Sequence, residues 1–285
     1  MTNRRNFLRT TVALAAATMI SPTFAFAPEK KVIGLQLYTV RDKIKLDLKS
    51  TLEKVAKIGY NSAEAAGYNV ADGTFYGMTP KAFAELLNGL GMPLTSSHTT
   101  FELDTAEKVI ADAASTGAKY IIYPFLADKF RSNLDGWKST ADKFNKMGEI
   151  AKKNGIQFGY HNHAFEFEKM EDQIPYDLLL SQTDPSLVTF EMDLYWVTKG
   201  GYNPVDYFKK YPGRFQLWHV KDMTKTDDMF FAPVGSGRID FSGIFAEKKT
   251  AGMKYFFVEQ DSFKDLDAYE SIEMSFKYLN QAKFL

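Results

Sequence analysis

From residue 32 to the C-terminus, short apolar β-rich segments alternate about eight times with longer stretches of helical periodicity. This alternation restricts the fold more than any other feature of the chain. The strand candidates are Val32 to Tyr38, Ser62 to Ala66, Leu94 to His98, Tyr120 to Tyr123, Gln157 to His161, Leu187 to Asp193, Gln216 to Val220 and Tyr255 to Glu259. Between them lie helix candidates at Leu46 to Ile58, Pro80 to Leu90, Thr105 to Thr116, Gly136 to Asn154, Pro175 to Gln182, Pro204 to Tyr211, Phe241 to Ala251 and Leu266 to Asn280. Gly59, Gly155 and Gly252 stand where three of these helices need a left-handed C-cap before the next strand. No proline- or serine-rich linker interrupts the series. Such a run of β-α units in residues 28–285 predicts one α/β domain, a (β/α)8 TIM barrel. A doubly wound open sheet is the competing arrangement.

The first 27 residues read as an address instead of structure. Arg4 and Arg5, in RRNFLR, precede an apolar run from Val12 to Ile20, and Ala25-Phe26-Ala27 has the small-x-small form of a signal-peptidase site. The pattern resembles a twin-arginine export signal, with a mature chain beginning near Pro28 in a periplasm and no stable membrane anchor after removal. An ordinary secretory signal or a short anchor is the plainer alternative. Because those 27 residues hold three arginines and no acid, the remainder has 32 basic and 35 acidic side chains, about −3, which does not attract nucleic acid. The absence of cysteine excludes disulfides, thiolate ligands and cysteine nucleophiles.

In a parallel barrel, reacting groups project from the C-terminal ends of the strands. Four successive strand candidates end in metal-ligand chemistry: His161 running into His163, then Glu191 with Asp193, then His219 followed by Lys221 and Asp222, then Glu259. The side-chain period of two places His161 with His163, Glu191 with Asp193, His219 with Lys221, and Glu259 with Asp261 on shared faces. Any one of these residues alone is better read as an ordinary hydrogen-bonded side chain. Together they predict one divalent ion, Mn²⁺, Zn²⁺, Co²⁺ or Mg²⁺, at the barrel mouth.

The segments GLQLYTVRD (34–42), SSHTTFE (96–102), YHNHAFEFE (160–168), FEMDLYW (190–196), HVKDM (219–223), PVGSGRIDF (233–241) and VEQD (258–261) resemble the xylose isomerase-like barrel superfamily over nearly the whole mature chain. That superfamily holds sugar isomerases and epimerases, inosose dehydratases and the abasic-site endonucleases. The resemblance implies ligands Glu, Asp, His and Glu on strands five to eight. Asp193, His219 and Glu259 match the last three, whereas His161 stands where a glutamate is expected, with His163 and Glu166 as possible substitutes. The endonuclease branch implies an aspartate and a histidine six and four residues before Gly235. Met229 and Phe231 stand there and cannot ligate zinc.

The chemistry so implied is proton removal beside a metal-polarised carbonyl of a small carbohydrate. His163 is the first choice for acid–base work because imidazole ordinarily titrates near neutrality. Glu259 and Glu166 are further candidates, and Lys221 and Asp222 are expected to hold hydroxyls. Substrate contacts are also assigned to Glu64, His98, Tyr38, Trp196 and, for an anion, Arg238. For each, a packing or surface role is the simpler reading. GSG is read as a tight loop, lacking the strand-to-helix setting of a dinucleotide site, and no elbow serine supports a triad.

The function expected is a metal-dependent isomerase or epimerase of a free or keto sugar. The alternative is a lyase or dehydratase acting on a 3-keto glycoside or inosose, since enolisation is also the first half of β-elimination. An exported sugar-binding barrel without catalysis is the reading from another class. The oligomeric state is not legible in the sequence.

Overall fold

Gly34 pairs on one side with Ser62 of the second strand and on the other with Phe257 of the last, so the sheet closes on itself. The computed structural model describes residues 31–285, and the export signal expected over residues 1–27 lies outside the described residues. The eight barrel strands are β1 (Gly34–Gln36), β2 (Ser62–Ala65), β3 (Leu94–His98), β4 (Tyr120–Tyr123), β5 (Gln157–His161), β6 (Val188–Asp193), β7 (Leu217–Val220) and β8 (Tyr255–Val258). All are parallel and neighbours in chain order. An open doubly wound sheet has two unpaired edge strands, whereas each of these eight strands is paired on both sides, so that arrangement is excluded.

The expected outer helices form, with two informative differences. The stretch from Leu46 to Ile58 is not continuous: a helix over Arg41–Leu46 ends at Asp47, whose side chain accepts from the Ser50 N–H at 3.0 Å and starts a second helix, Leu48–Ile58. The stretch from Phe241 to Ala251 also divides, at Glu247, but without a side-chain cap. A helix over Leu194–Lys199, begun directly at the end of β6, is additional. Gly252 has a φ of 79°, and a Cβ there would meet the Gly213 Cα at 2.8 Å, so glycine is required both by conformation and by space.

Alternation along the strands separates two interiors. Phe158, Tyr160, Phe190, Met192, Trp218 and Val220 face outward into the main core beneath the helices. Tyr120, Ile122, Leu217 and Phe257 face inward and form a small apolar floor inside the barrel. Above that floor the inward residues become ionisable, as the next inward positions on β6, β7 and β8 include Glu191, His219 and Glu259. The apolar residues seal the barrel from below, so this polar group opens only toward the C-terminal ends of the strands. Among the described residues, no helix is long and apolar enough to cross a membrane.

Candidate active site and metal centre

His161, Asp193, His219 and Glu259 converge at the barrel mouth, each offering one donor atom within 4.8 Å of the others. His161 Nε2 lies 3.3 Å from Asp193 Oδ2, and His219 Nδ1 lies 2.8 Å from Glu259 Oε2 and 3.8 Å from Asp193 Oδ2. Donors about 2.0–2.2 Å from one ion stand roughly 3–4 Å apart, so this spacing fits a divalent cation.

The orientation of each donor has a visible cause. His161 Nδ1 lies 3.2 Å from the Pro124 carbonyl, which takes its N–H and leaves Nε2 facing Asp193. Asp193 Oδ1 accepts from the Trp196 N–H at 2.9 Å, capping the helix that follows β6, while Oδ2 faces the mouth. His219 Nε2 lies 2.6 Å from Glu64 Oε2, while its buried Nδ1, though 2.8 Å from Glu259 Oε2, is not aligned for a hydrogen bond with it. The donor set, two imidazoles and two carboxylates, suits a borderline divalent ion.

Lys221 is the cation of this mouth. Its Nζ lies 2.9 Å from Asp193 Oδ2, 2.8 Å from Glu259 Oε2 and 2.6 Å from Asp261 Oδ2. Burial opposes its charge, yet Asp193, Asp261 and Glu259 hold its pKa well above the ordinary lysine value. Burial likewise opposes charge on His219, which Glu191, Glu259 and Glu64 nevertheless raise well above the histidine range. Glu259 is held well below the carboxylate range because Lys221 and His219 outweigh its burial. Burial lowers His161 strongly, with His219 and His163 adding to the effect.

A cavity of about 490 Å³ opens over these groups, lined by Tyr38, His98, Phe125, His163, Glu259 and Asp261 among others. Its size suits a sugar-sized molecule. His163 is flanked by Phe165, stacked at 5.5 Å, and by the edge of Phe125 at 5.3 Å. Burial and the nearby Lys221 lower its pKa to about 4. It therefore stands in the mouth as expected, but as a neutral imidazole instead of one poised near neutrality. Burial raises Asp261, which also lines the cavity, to about 6.

The structure relocates several expected contacts. Asp222 accepts from the backbone N–H groups of Met223, Gly235, Gly237 and Ile239 at 2.7 to 3.2 Å, so it ties down the PVGSGRIDF loop instead of a substrate hydroxyl. Arg238 is exposed and donates to the carbonyls of Thr224 and Thr226, outside the mouth. Glu166 is fully buried, accepting from the Tyr160 hydroxyl at 2.6 Å and the His163 N–H at 2.9 Å, so it positions the His163 loop from beneath. Glu64 is also fully buried, below the cavity. Tyr38 and His98 do line it, while Trp196 packs against His163 with ring centres 5.5 Å apart. Glu191 and Asp261, which alternation places on the faces of Asp193 and Glu259, receive no specific role from the sequence; Glu191 Oε2 lies 2.5 Å from His98 Nε2 and Asp261 Oδ2 lies 2.6 Å from Lys221 Nζ.

The family profile described as xylose isomerase-like TIM barrel matches residues 52–280. The chain belongs to this family. Among solved members, a sugar phosphate isomerase/epimerase from Parabacteroides distasonis is 32% identical, with 93% of this chain and 99% of that one covered at a TM-score of 0.80. Among curated relatives, the inosose dehydratase of Clostridium beijerinckii is 33% identical over 138 residues, 43% of this chain and 46% of that protein. The inosose dehydratase of Geobacillus kaustophilus is 26% identical over 237 residues, 69% of this chain and 74% of the relative. The chain thus matches about half the length of the first of these dehydratases. It is similar to an isomerase/epimerase in structure and to dehydratases in curated sequence.

Proposed function

We propose that the protein is a divalent-metal-dependent lyase that eliminates a hydroxyl or glycosyl group from a keto sugar or inosose. The observation that carries this reading is the four-donor mouth group set under a cavity whose lining includes both His163 and Asp261. The curated relatives named as inosose dehydratases favour elimination over the isomerisation first expected.

A divalent ion held by His161, Asp193, His219 and Glu259 would supply Lewis acidity toward a substrate carbonyl oxygen. His163, neutral at physiological pH, accepts the proton from the carbon beside that carbonyl. Its ring is fixed between Phe125 and Phe165, and its loop is fixed by Glu166. Asp261, with a pKa near 6, returns a proton to the departing oxygen. Elimination breaks the C–H and C–O bonds and forms the conjugated double bond, with no oxidant consumed. Lys221 holds Asp193 and Glu259 in place.

Among the described residues, no lysine or arginine lines the cavity, which supports an uncharged sugar over a phosphorylated one. Export through the signal at residues 4–27, proposed from sequence, agrees with a free sugar substrate in a periplasm.

Isomerisation or epimerisation is the second reading, favoured by the Parabacteroides structure covering 93% of this chain. Incubation of metal-loaded protein with inososes and 3-keto glycosides in D₂O separates the two. An unsaturated product or freed aglycone supports the lyase, whereas deuterium in recovered sugar without either product sinks it in favour of the isomerase.

A further inference from the structure

One inward layer below the mouth group, Glu64 of β2, His98 of β3, Glu191 of β6 and His219 of β7 meet face to face. Their donor atoms form a four-sided figure. His98 Nε2 lies 2.5 Å from Glu191 Oε2, which lies 3.4 Å from His219 Nε2. His219 Nε2 lies 2.6 Å from Glu64 Oε2, which in turn lies 3.4 Å from His98 Nε2. None of the four residues is more than 9% exposed.

We propose that Glu64, His98, Glu191 and His219 form a second divalent-cation site beneath the mouth group, taking a zinc-class ion through two imidazole Nε2 and two carboxylate Oε2 atoms. Atoms so spaced around a centre can all reach the roughly 2.0–2.2 Å that zinc keeps to imidazole nitrogen and carboxylate oxygen. A mixed nitrogen and oxygen set also suits zinc, cobalt or manganese better than a strictly oxygen-seeking ion.

Hydrogen bonding alone accounts poorly for this arrangement. Each Nε2 faces two carboxylate oxygens, but an imidazole nitrogen carries one proton and serves one of them well. The remaining oxygens, Glu64 Oε1 and Glu191 Oε1, are buried with no partner, as is the nearby Ser96 hydroxyl. Buried carboxylate oxygens left so are costly. In the mouth above, Asp193 and Glu259 have the Lys221 ammonium. Among the described residues, no lysine or arginine pairs with Glu64 or Glu191, so a cation at the centre would do for the lower pair what Lys221 does for the upper.

The figure is also braced from the side. Gln36 donates to Glu64 Oε2 at 2.8 Å, and its own carbonyl oxygen accepts from the Tyr38 N–H at 3.0 Å, which fixes the amide and hence the carboxylate. His219 is common to both groups, presenting Nε2 below and Nδ1 above. A neutral imidazole has one lone pair for a metal, so the two groups are alternative positions for an ion and the tautomer of His219 chooses between them.

The test is zinc content of protein dialysed against zinc and then buffer, comparing wild type with the double variant Asp193→Asn/Glu259→Gln, which disables the mouth. The double variant is expected to retain about one zinc per chain, falling below about a tenth when Glu191→Gln is added. Loss of zinc from the double variant, with wild type still loaded, overturns the proposal. Should the variants fail to fold by circular dichroism, anomalous diffraction at the zinc edge on zinc-saturated crystals of His161→Leu, which weakens the mouth group alone, decides instead. A peak between Glu64 and Glu191 supports the site, and a peak only among Asp193, His219 and Glu259 overturns it. Neither readout depends on turnover, so the outcome is separate from that of the lyase reading, which stands or falls on its products.

Discussion

Lys221 Nζ lies 2.8 Å from Glu259 Oε2, so an ammonium and any ion bound at the mouth draw on the same carboxylate. It holds Asp193 in the same way at 2.9 Å. Lys221→Met is therefore expected to tighten binding of a divalent ion by about tenfold, because both carboxylates become free for it. In metal-free protein the same change leaves buried charge unpaired and costs about 3–5 kcal/mol. Chelator competition and urea unfolding with and without zinc check both halves; weaker metal binding in the variant would contradict the shared-carboxylate account.

His163 stands at the cavity wall without a place in the mouth donor group. His163→Gln is expected to lower kcat by about 10²–10³-fold while metal content stays unchanged. Parallel measurement of turnover and bound metal checks this, and loss of the metal would place His163 among the ligands instead.

Glu166 sets a pH dependence of stability. Burial raises its carboxyl from 4.5 to about 8, so between those values the folded chain keeps a proton that the unfolded chain has released. Its contribution is complete below the unfolded value and is lost as pH rises through the folded one, on the order of a few kcal/mol across the window. Glu166→Gln is expected to flatten the decline in unfolding free energy between pH 5 and about 8. Urea titrations at several pH values measure it; an unchanged slope would show that Glu166 is not the group responsible.

Asp222 should matter for stability before it matters for affinity. Asp222→Ala strands the N–H groups of Met223, Gly235 and Gly237 and is expected to cost on the order of 2–4 kcal/mol. A raised KM with unaltered unfolding free energy would return Asp222 to the substrate-binding role its position in HVKD first suggested.

The barrel was legible because its signal is periodic. Strands such as Tyr120–Tyr123 and Gln157–His161 are short apolar runs bounded by helix caps, and they form with the expected limits. The meeting of His161, Asp193, His219 and Glu259 was legible because each lies at or just beyond a strand's C-terminal end. What the sequence hid was depth. Glu64 and Glu191 face inward as alternation requires, but only the three-dimensional stagger of the strands shows that they lie beneath the cavity. Asp222 and Arg238 were misplaced for a different reason: they lie on two facing segments, and the side chain of each is taken up by backbone groups of the other. The split at Asp47 was missed because helical periodicity continues across it, although the Asp47 backbone is extended and its side chain caps the next helix.

The most direct test of the account is a product assay on chelator-stripped and metal-reloaded protein, presented with inososes and 3-keto glycosides. Reloaded protein is expected to release an unsaturated keto sugar, with stripped protein silent and Asp193→Asn silent even when metal is added. Equal product from stripped protein, or none of the unsaturated species from the reloaded form, would contradict it.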